Sequence, residues 1–350
     1  MKILFFFVHP SKFHLFRYTI NQLIKNGHDV EITIITKDVL EQLVKGEGWK
    51  YTNIFPEGRR IEGLPILLST SINFIKTIWR LLKFTTGKKY DLFVTDDCLT
   101  IIGKLKSIPS LYFTDDDITV VPEYSLLMKP ATYIIAPNCT ELGSFSKKKL
   151  GFKGYKELAY LHPNYFTPDI EKIKTFNPSL KPFAILRLVS LTASHDRDKK
   201  GISDTDLQKI ISMLSTKYAI YISAERPLSK DFEKYRLQIS PENIAHVLYF
   251  AELFIGDSQT MSSEAAVLGT PTIRINDFVG KISVMEEKET KFDLYYGFKP
   301  KDFNKIKDKI EILMQEPDLK KKWADKKNKM LGDCEDINQF IYSKIIPVQK

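Results

Sequence analysis

The chain has 350 residues, of which 43% are hydrophobic and 27% charged; this is an ordinary globular composition, with length enough for two domains with separate cores. Three scattered cysteines exclude a disulfide framework and fit a reducing cytosol, and the lack of about twenty consecutive uncharged apolar residues excludes a membrane-spanning helix. The formal charge of +9 favours an anionic partner, and six of the excess positive charges fall within residues 1–165.

The first elements predict a βαβ unit. The run "ILFFFV" (3–8) is continuously apolar, as expected for a strand covered on both faces. Apolar residues at helical spacing follow in 16–25, Gly27 suits the C-terminal end of that helix, and "VEITIIT" (30–36) is the next strand. Because the apolar start is short and is soon interrupted by His, Pro and Lys, a buried strand explains it better than a signal peptide.

The stretch 64–89, "LPILLSTSINFIKTIWRLLKFTTGKK", is amphipathic and basic. A helix is needed before the fourth strand, so the preferred interpretation is a helix whose apolar stripe lies in the core. In the alternative interpretation this helix lies on an anionic membrane surface. The basic residues among the bulky apolar ones are Lys76, Arg80, Lys83, Lys88 and Lys89.

Strand and helix patterns alternate along the rest of the chain. The further strand candidates are 90–96, 110–115, 133–137, 183–190, 219–225, 253–258 and 271–276. A polar segment containing Pro and Lys, 166–182, is typical of a linker. The sequence therefore predicts an α/β fold with two Rossmann-like domains, 1–165 and 183–350, facing each other across a cleft. The last helix would be able to pack back on the first domain.

Polar residues follow the predicted strands in both halves, and ligands of open parallel sheets bind at the carboxyl ends of strands. In the first half these residues are His9, Ser11, Lys12, His14, Asp96, Asp97, Asp115, Asp116 and Asp117. In the second half they are Ser190, Thr192, His195, Glu225, Arg226 and the stretch 257–264. Two such polar rims are what an enzyme with a cleft would present.

His14 is a candidate general base, because it lies where a base would meet an acceptor hydroxyl; alternatively it caps the first helix. The cluster "FTDDDIT" (113–119) could bind a metal through its carboxylates. Three adjacent side chains cannot all point at one ion, however, so one functional carboxylate and no metal site are expected. The run "HDRDKK" (195–200) is either a charged loop or a contact to the phosphates of a donor.

The stretch "IGDSQTMSSEAAVLGTPTIRI" (255–275) predicts a strand, a short helix and another strand. Small hydroxyl residues crowd the helix start, where unpaired N–H groups and the helix dipole favour anions such as phosphate. Glu264, about one turn into the helix, could reach past a diphosphate to ribose hydroxyls. The alternative is structural: Ser258 or Thr260 would cap the helix, and Glu264 would complete a capping box.

Segment 246–275 resembles a motif of bacterial GT-B glycosyltransferases and UDP-N-acetylglucosamine 2-epimerases that reads roughly "adlvisrGGxxxxEAxxxGtP". More closely, the "TM..EAA.LGtP" core, the lead-in "YFAE" and the stretch "GYKELAYLHPNYFTPD" (154–169) are similar to an uncharacterised archaeal and bacterial family of that superfamily. The first βαβ unit also fits this family, so the resemblance covers both halves. It implies the two-domain architecture called GT-B.

The resemblance also implies roles for particular residues. The residues implied to line the pyrophosphate are Ser258, Thr260, Met261 and Ser262, with Glu264 on the ribose. The segment around His246 would contact the base, and Arg187 and Ser190 would face the distal phosphate. The residues implied for the acceptor side are His14, Asp115 and Asp117.

One departure from the motif concerns the phosphate site. Its usual paired glycines are replaced by Asp257-Ser258-Gln259. Glycines there allow a phosphate to approach the backbone, and a carboxylate at position 257 would repel it unless turned away.

The resemblance and the two polar rims favour a metal-independent glycosyltransferase. It would use a nucleotide-diphosphate sugar, UDP-linked, and a glycan or lipid-linked acceptor to assemble surface polysaccharide or glycoconjugate, with no separate cofactor. The alternatives are a nucleotide-sugar 2-epimerase, which needs carboxylates around the sugar ring, and a non-enzymatic binding protein on the same fold. A nucleic-acid partner is not expected, because basic and aromatic residues do not interleave. The expected location is the cytoplasm. In the alternative, the protein also contacts the inner face of the membrane through 64–89.

Overall fold

The computed structural model describes residues 1–37, 39–59, 65–190 and 201–346; the side chains at 66 and 67 are also outside the description. The chain forms two compact units. The first comprises Met1–Tyr160 and Glu335–Lys350, and the second Leu161–Cys334. Each unit is a parallel β-sheet with helices between its strands, which confirms the predicted α/β class.

The first unit is built on a seven-stranded sheet. Its strands are β1 (Lys2–Phe7), β2 (Asp29–Ile35), β3 (Tyr51–Phe55), β4 (Leu92–Thr95), β5 (Ser110–Phe113), β6 (Tyr133–Pro137) and β7 (Lys149–Phe152). Its helices are α1 (Pro10–Lys25), α2 (Leu40–Gly46), α3 (Ile66–Thr85), α4 (Leu99–Lys106), α5 (Ser125–Met128) and the late α15 (Ile337–Ile345); α6 (Leu158–Leu161) crosses the boundary of the units. All described strand pairs are parallel, in the order β3-β2-β1-β4-β5-β6-β7.

The second unit is built on a five-stranded sheet. Its strands are β8 (Phe183–Leu188), β9 (Ala219–Ala224), β10 (Leu253–Gly256), β11 (Thr272–Ile275) and β12 (Tyr295–Phe298). Its helices are α7 (Glu171–Lys174), α8 (Asp204–Leu214), α9 (Lys230–Glu233), α10 (Ile244–Phe250), α11 (Gln259–Leu268), α12 (Ser283–Thr290), α13 (Phe303–Gln315) and α14 (Leu319–Asp333). The order is β12-β11-β10-β8-β9, and these pairs are also parallel.

Local signals in the sequence place the central elements correctly. All four residues of each of the strands β4, β5, β10 and β11 are buried, as expected for strands covered on both faces. Helix α1 ends at Lys25, and Gly27 adopts the left-handed conformation (φ 80°) that ends many helices. The strands missed by sequence reasoning are β3, β7 and β12, and each lies at the edge of its sheet. Edge strands are covered less completely, so they need no continuous apolar run.

The C-terminal helix α15 belongs to the first unit and packs against α1. Thr19 donates a hydrogen bond to Oδ1 of Asn338 (3.4 Å), and Asn338 Nδ2 donates to the carbonyl of Ala159 (2.8 Å). The side chain of Asn338 is buried, so these bonds satisfy a polar group inside the core. The segment predicted as a linker, 166–182, lies within the second unit and contains α7.

Helix α3 lies before β4, as predicted, but the preferred interpretation of its apolar stripe is wrong in one respect. The core takes Leu81 and part of Phe74, Ile78 and Phe84, whereas Ile75 and Trp79 point outward and are 67% and 60% exposed. The buried side of the helix carries several small polar residues instead. Among the described residues, no helix is long and apolar enough to cross a membrane.

Candidate active site

The carboxyl ends of β1, β4 and β5 lie side by side in the first unit, because these strands are neighbours. At the end of β1, His9 caps α1: its Nδ1 accepts a hydrogen bond from the N–H of Ser11 (3.1 Å). Burial and the nearby Lys37 lower the pKa of His9 to about 3, so the ring stays neutral and can act as acceptor. The capping role considered for His14 is therefore filled by His9.

Asp115, at the end of β5, is held between two lysines. Its Oδ1 lies 3.3 Å from Nζ of Lys12, and its Oδ2 accepts a hydrogen bond from Lys156. All three side chains are nearly buried. Burial alone would raise the pKa of Asp115, but the charges of Lys156 and Lys12 outweigh it and hold the pKa well below its usual range. A carboxylate held in this way is a weak proton acceptor, and its geometry suits the positioning of the two lysines.

Asp117 is engaged by the loop that follows β5. Its Oδ1 accepts a hydrogen bond from the N–H of Glu141 (2.6 Å), and its carbonyl accepts from Val120 (2.9 Å) and Val121 (3.2 Å). The residue is buried. The structure therefore places Asp117 as a residue that fixes this loop.

His14 lies on α1 against aromatic rings. Its ring centre is 5.1 Å from that of Tyr160 and 5.2 Å from that of Phe13. Burial, with a smaller effect of Arg17, lowers the pKa of His14 to about 4, so the ring is neutral at pH 7. His14 is two residues beyond Lys12, which corresponds to about 200° around the helix axis. It therefore leaves α1 from a different side than Lys12 does.

Asp96, at the end of β4, is a candidate functional residue that the sequence alone did not single out. Its Oδ1 is buried and has no hydrogen-bond partner among the described residues. Burial raises the pKa of Asp96 to about 7, the charge of Asp97 adds to this, and Lys12 opposes it. The adjacent Asp97 differs: burial would raise its pKa, but its ion pair with Arg59 (2.8 Å) makes the net shift downward.

Two carboxyl groups on neighbouring strands of the first unit thus have opposite protonation behaviour. Asp96 exchanges a proton near pH 7, and Asp115 stays ionised. Environments that push two pKa values apart in this way define an acid–base group and a fixed charge. The sequence put Asp96 on the rim, but desolvation distinguishes it from its neighbours, and desolvation is a property of the folded chain.

In the second unit, the start of α11 uses part of its hydroxyl cluster for its own stability. Ser258 caps the helix, because its Oγ accepts a hydrogen bond from the N–H of Met261 (3.3 Å). Ser262 donates its hydroxyl to the carbonyl of Ser258 (2.6 Å). These side chains are buried. The predicted capping role of Ser258 is therefore present, whatever else binds here.

The accessible side of α11 carries Thr260 and Glu264. They are four residues apart and partly exposed, so they lie on one face of the helix. The N–H groups of Gln259 and Thr260 have no acceptor among the described residues, whereas those of Met261 and Ser262 are bonded to Ser258. Two main-chain donors at the N-terminal end of α11 are thus followed, one turn later, by a partly exposed carboxylate.

Asp257 is turned toward the main chain that follows β8. Its Oδ1 accepts a hydrogen bond from the N–H of Val189 (2.8 Å) and its Oδ2 from that of Ile202 (3.4 Å). Burial raises the pKa of this carboxyl to about 6, although the two main-chain bonds oppose the shift. A Cβ at Gly201 would lie 2.3 Å from Oδ2, so the carboxylate is closely enclosed. A carboxylate at position 257, where the motif has glycine, would repel a phosphate unless it were turned away. The bonds to Val189 and Ile202 turn it away in this sense.

Two arginines flank the strand that leads into α11. Arg187 of β8 and Arg274 of β11 are each in register with Gly256 of β10, so both side chains emerge on the same face of the sheet. Arg187 donates to Ser223 Oγ (2.7 Å) and to Glu225. Arg274 is fully buried and has an acceptor only in Glu286 (3.4 Å), leaving Nε and Nη1 without partners among the described residues.

Ser190 and His246 make main-chain contacts. The N–H of Ser190 donates to Glu225 (3.3 Å), the same carboxylate that binds Arg187. His246 lies on α10; its Nδ1 accepts from the N–H of Asp169 (3.0 Å), and burial lowers its pKa. Thr192, His195 and the run 195–200 lie outside the described residues.

Solved structures of two enzyme classes share this fold. The UDP-GlcNAc 2-epimerase from Neisseria meningitidis bound to UDP-GlcNAc is 14% identical, with 100% of this chain and 99% of that chain covered and a TM-score of 0.64. The spinosyn forosaminyltransferase SpnP is 14% identical, with full coverage of both chains and a TM-score of 0.66. The Acinetobacter baumannii MurG is 12% identical, with 99% and 100% covered and a TM-score of 0.58. The chain therefore has the GT-B fold of glycosyltransferases and UDP-GlcNAc 2-epimerases.

Comparison of the sequence with models of protein families identifies the family of this chain. A model described as "Protein of unknown function (DUF354)" matches residues 2–345, and the chain belongs to this family. The predicted membership of an uncharacterised family is confirmed, and the fold agrees with the predicted GT-B architecture. No curated protein matches the sequence.

Proposed function

We propose that the protein is a glycosyltransferase that uses a nucleotide-diphosphate sugar, UDP-linked, to extend a glycan or lipid-linked acceptor in surface-glycan assembly in the cytoplasm. The observation that carries the proposal is the start of α11. There, two main-chain N–H donors are followed one turn later by the partly exposed Glu264, and Asp257 is bonded to the main-chain N–H groups of Val189 and Ile202. A helix N-terminus with free donors suits a diphosphate, and a carboxylate one turn later suits ribose hydroxyls.

In this proposal the second unit binds the donor. The diphosphate takes the N–H groups of Gln259 and Thr260, and Arg187 offsets the charge that develops on the departing diphosphate. Ser258, Met261 and Ser262 would support this contact by holding the first turn of α11 in place. His246 would act through the main chain at Asp169, which it holds, and Ser190 through its own N–H group.

The first unit supplies proton transfer. The acceptor hydroxyl attacks the anomeric carbon, the bond from that carbon to the diphosphate oxygen breaks, and the proton passes to Asp96. Its pKa near 7 suits a general base at neutral pH. Asp115 keeps Lys12 and Lys156 in place, and His14 and Asp117 remain proposed acceptor-side residues.

A ligand-binding measurement tests the donor site. Thermal unfolding is followed with UDP, GDP, CDP and UDP-N-acetylglucosamine, on the wild type and on Glu264→Ala. At about one hundred times its dissociation constant, a ligand should stabilise the fold by about 2.7 kcal/mol. We expect a uridine ligand to do so in the wild type and to lose most of the effect in Glu264→Ala. The matched control is Glu311→Ala, an exposed carboxylate on α13. Equal stabilisation of all three proteins, or of none, would contradict the donor site.

The second candidate is an epimerase of nucleotide sugars, and the paired carboxyls favour it. Asp96 and Asp115 combine a proton-exchanging group with a fixed charge, as abstraction of a proton from a sugar carbon requires. The two reactions differ in what accumulates. A glycosyltransferase releases UDP only when an acceptor is present, whereas an epimerase converts one nucleotide sugar into another without net UDP and takes up deuterium from D₂O at the inverted carbon.

A further inference from the structure

Helix α3 faces the first unit with small polar side chains as well as with the apolar residues that the core takes from it. Ser69, Asn73, Thr77 and Thr85 are all buried. Thr77 donates its hydroxyl to the carbonyl of Asn73 (2.7 Å), and Thr85 donates to that of Leu81 (2.9 Å), so the helix satisfies these groups with its own carbonyls. The helix therefore packs on its unit with this face and leaves a second apolar stripe outside these contacts.

That stripe lies on the outside. Leu68, Ile72, Ile75, Trp79 and Leu82 follow one another at spacings of four and three residues, which aligns them along one face of the helix. Ile75, Trp79 and Leu68 are 67%, 60% and 50% exposed, Leu82 is also exposed, and Ile72 is partly buried. We call these five residues the outer stripe. A continuous stripe of this kind indicates an interaction surface, unlike isolated exposed apolar residues.

Positive charge borders the outer stripe. Lys76 and Lys83 are exposed and leave the helix on the same side of the stripe, seven residues apart. The ammonium of Lys83 lies 5.5 Å from the centre of the Trp79 ring, so its carbon chain covers apolar surface while its charge stays outside. No Asp or Glu occurs anywhere in 65–89.

We propose that the outer stripe docks the first unit on an anionic lipid bilayer. Its apolar residues would enter the boundary between headgroups and acyl chains, where Trp is favoured, and Lys76 and Lys83 would meet lipid phosphates. A second copy of the chain is a poorer occupant. Two such helices paired along their stripes would bring lysines together, and α3 has no acidic residue to offset them.

Fluorescence of Trp79 can report on this contact without an added label. Trp79 is exposed, whereas Trp49 and Trp323 are buried. The full-length protein is mixed with vesicles of equimolar phosphatidylglycerol and phosphatidylcholine, or of phosphatidylcholine alone, without nucleotide or acceptor. We expect co-sedimentation and a blue shift of Trp fluorescence with the anionic vesicles only, weakened by added salt. Since no substrate is present, this result is independent of the proposed activity.

Variants separate the apolar and charged parts of the contact. The double variant Ile75→Ser/Trp79→Ser should reduce the partition coefficient at least tenfold, because two exposed apolar side chains lose their burial in the bilayer. Lys76→Glu/Lys83→Glu should reduce it by about tenfold or more. Trp79→Phe should still bind but lose the blue shift. The matched control is Ile312→Ser, which removes an apolar side chain that is 56% exposed on α13.

Circular dichroism and thermal unfolding establish that each variant is folded. Three results would overturn the proposal: no binding to anionic vesicles, equal binding to neutral vesicles, or unchanged binding of both double variants. A concentration-dependent dimer in light scattering that Ile75→Ser/Trp79→Ser abolishes would instead assign the outer stripe to a second copy of the chain.

Discussion

The two polar rims of the protein handle charge in different ways. In the first unit, ionised side chains pair with one another, as Asp115 does with Lys12 and Lys156. In the second unit, the start of α11 is organised by main-chain bonds, and Asp257 is bonded to the N–H groups of Val189 and Ile202. The first arrangement controls where a proton resides, and the second leaves helix donors available for an anion. This difference supports the proposal that the first rim carries acid–base chemistry and the second binds phosphate.

The largest expected effect tests the acid–base assignment. Asp96→Asn removes the group with a pKa near 7, so the rate of the proposed reaction should fall by about a thousandfold. Steady-state release of UDP with a competent acceptor measures this. The nucleotide-induced thermal shift should persist, because the donor site is in the other rim. A fall of less than about tenfold would remove Asp96 from proton transfer.

The same variant gives a pH signature in stability. The pKa of Asp96 is raised by burial, so this residue makes a contribution to stability that is lost as pH rises from about 4 to about 7. Asp96→Asn lacks this loss, and its advantage in the free energy of unfolding should grow across that window and stay constant above it. Urea unfolding at several pH values measures the difference. An advantage that does not change with pH would show that Asp96 is not desolvated.

The next effect tests the ion-paired cluster. Asp115→Asn leaves two nearly buried lysines without their carboxylate and should cost about 3 kcal/mol of unfolding free energy. In Asp115→Asn/Lys156→Met one of these charges is also removed, so part of the loss should be recovered. Urea unfolding of the single and double variants measures both. If the double variant is less stable than Asp115→Asn, the cluster is not an electrostatic unit.

A somewhat smaller effect is expected in the second rim. Asp257→Ala leaves the N–H groups of Val189 and Ile202 without their acceptor and should cost about 2 kcal/mol. Asp257→Asn keeps one carbonyl oxygen and should lose less. The midpoints of chemical unfolding give both values. Equal losses in the two variants would mean that the main-chain bonds are not the source of stability.

The smallest effect concerns the cap of α11. Ser258→Ala removes the acceptor of the Met261 N–H and should destabilise the protein by about 1 kcal/mol. Ser258→Asp provides another good capping oxygen and should be nearly as stable as the wild type, but its negative charge should weaken diphosphate binding. Thermal unfolding with and without UDP separates stability from binding. A Ser258→Asp variant that binds UDP normally would contradict a diphosphate at this helix start.

Much of the fold could be predicted because its signals are local. A strand covered on both faces must be largely apolar, so β1, β4 and β10 can be recognised in the sequence as runs of apolar residues. The cap at Ser258 and the turn at Gly27 are likewise set by a few adjacent residues. Strands β3, β7 and β12 were missed, since an edge strand draws its stability from one neighbour and carries a weaker pattern.

What the sequence determined by itself is therefore the order of the strands covered on both faces and their helices, the rims on which polar residues collect, and the resemblance that points to GT-B enzymes. Tertiary structure decided which of those residues can do what. Lys156 reaches Asp115 across 41 positions of sequence and makes it a fixed anion, while desolvation gives Asp96 its shifted pKa. The direction of Asp257 and the outward side of α3 were decided in the same way. Periodicity and capping act between near neighbours in the chain, whereas burial and charge pairing depend on residues that only folding brings together.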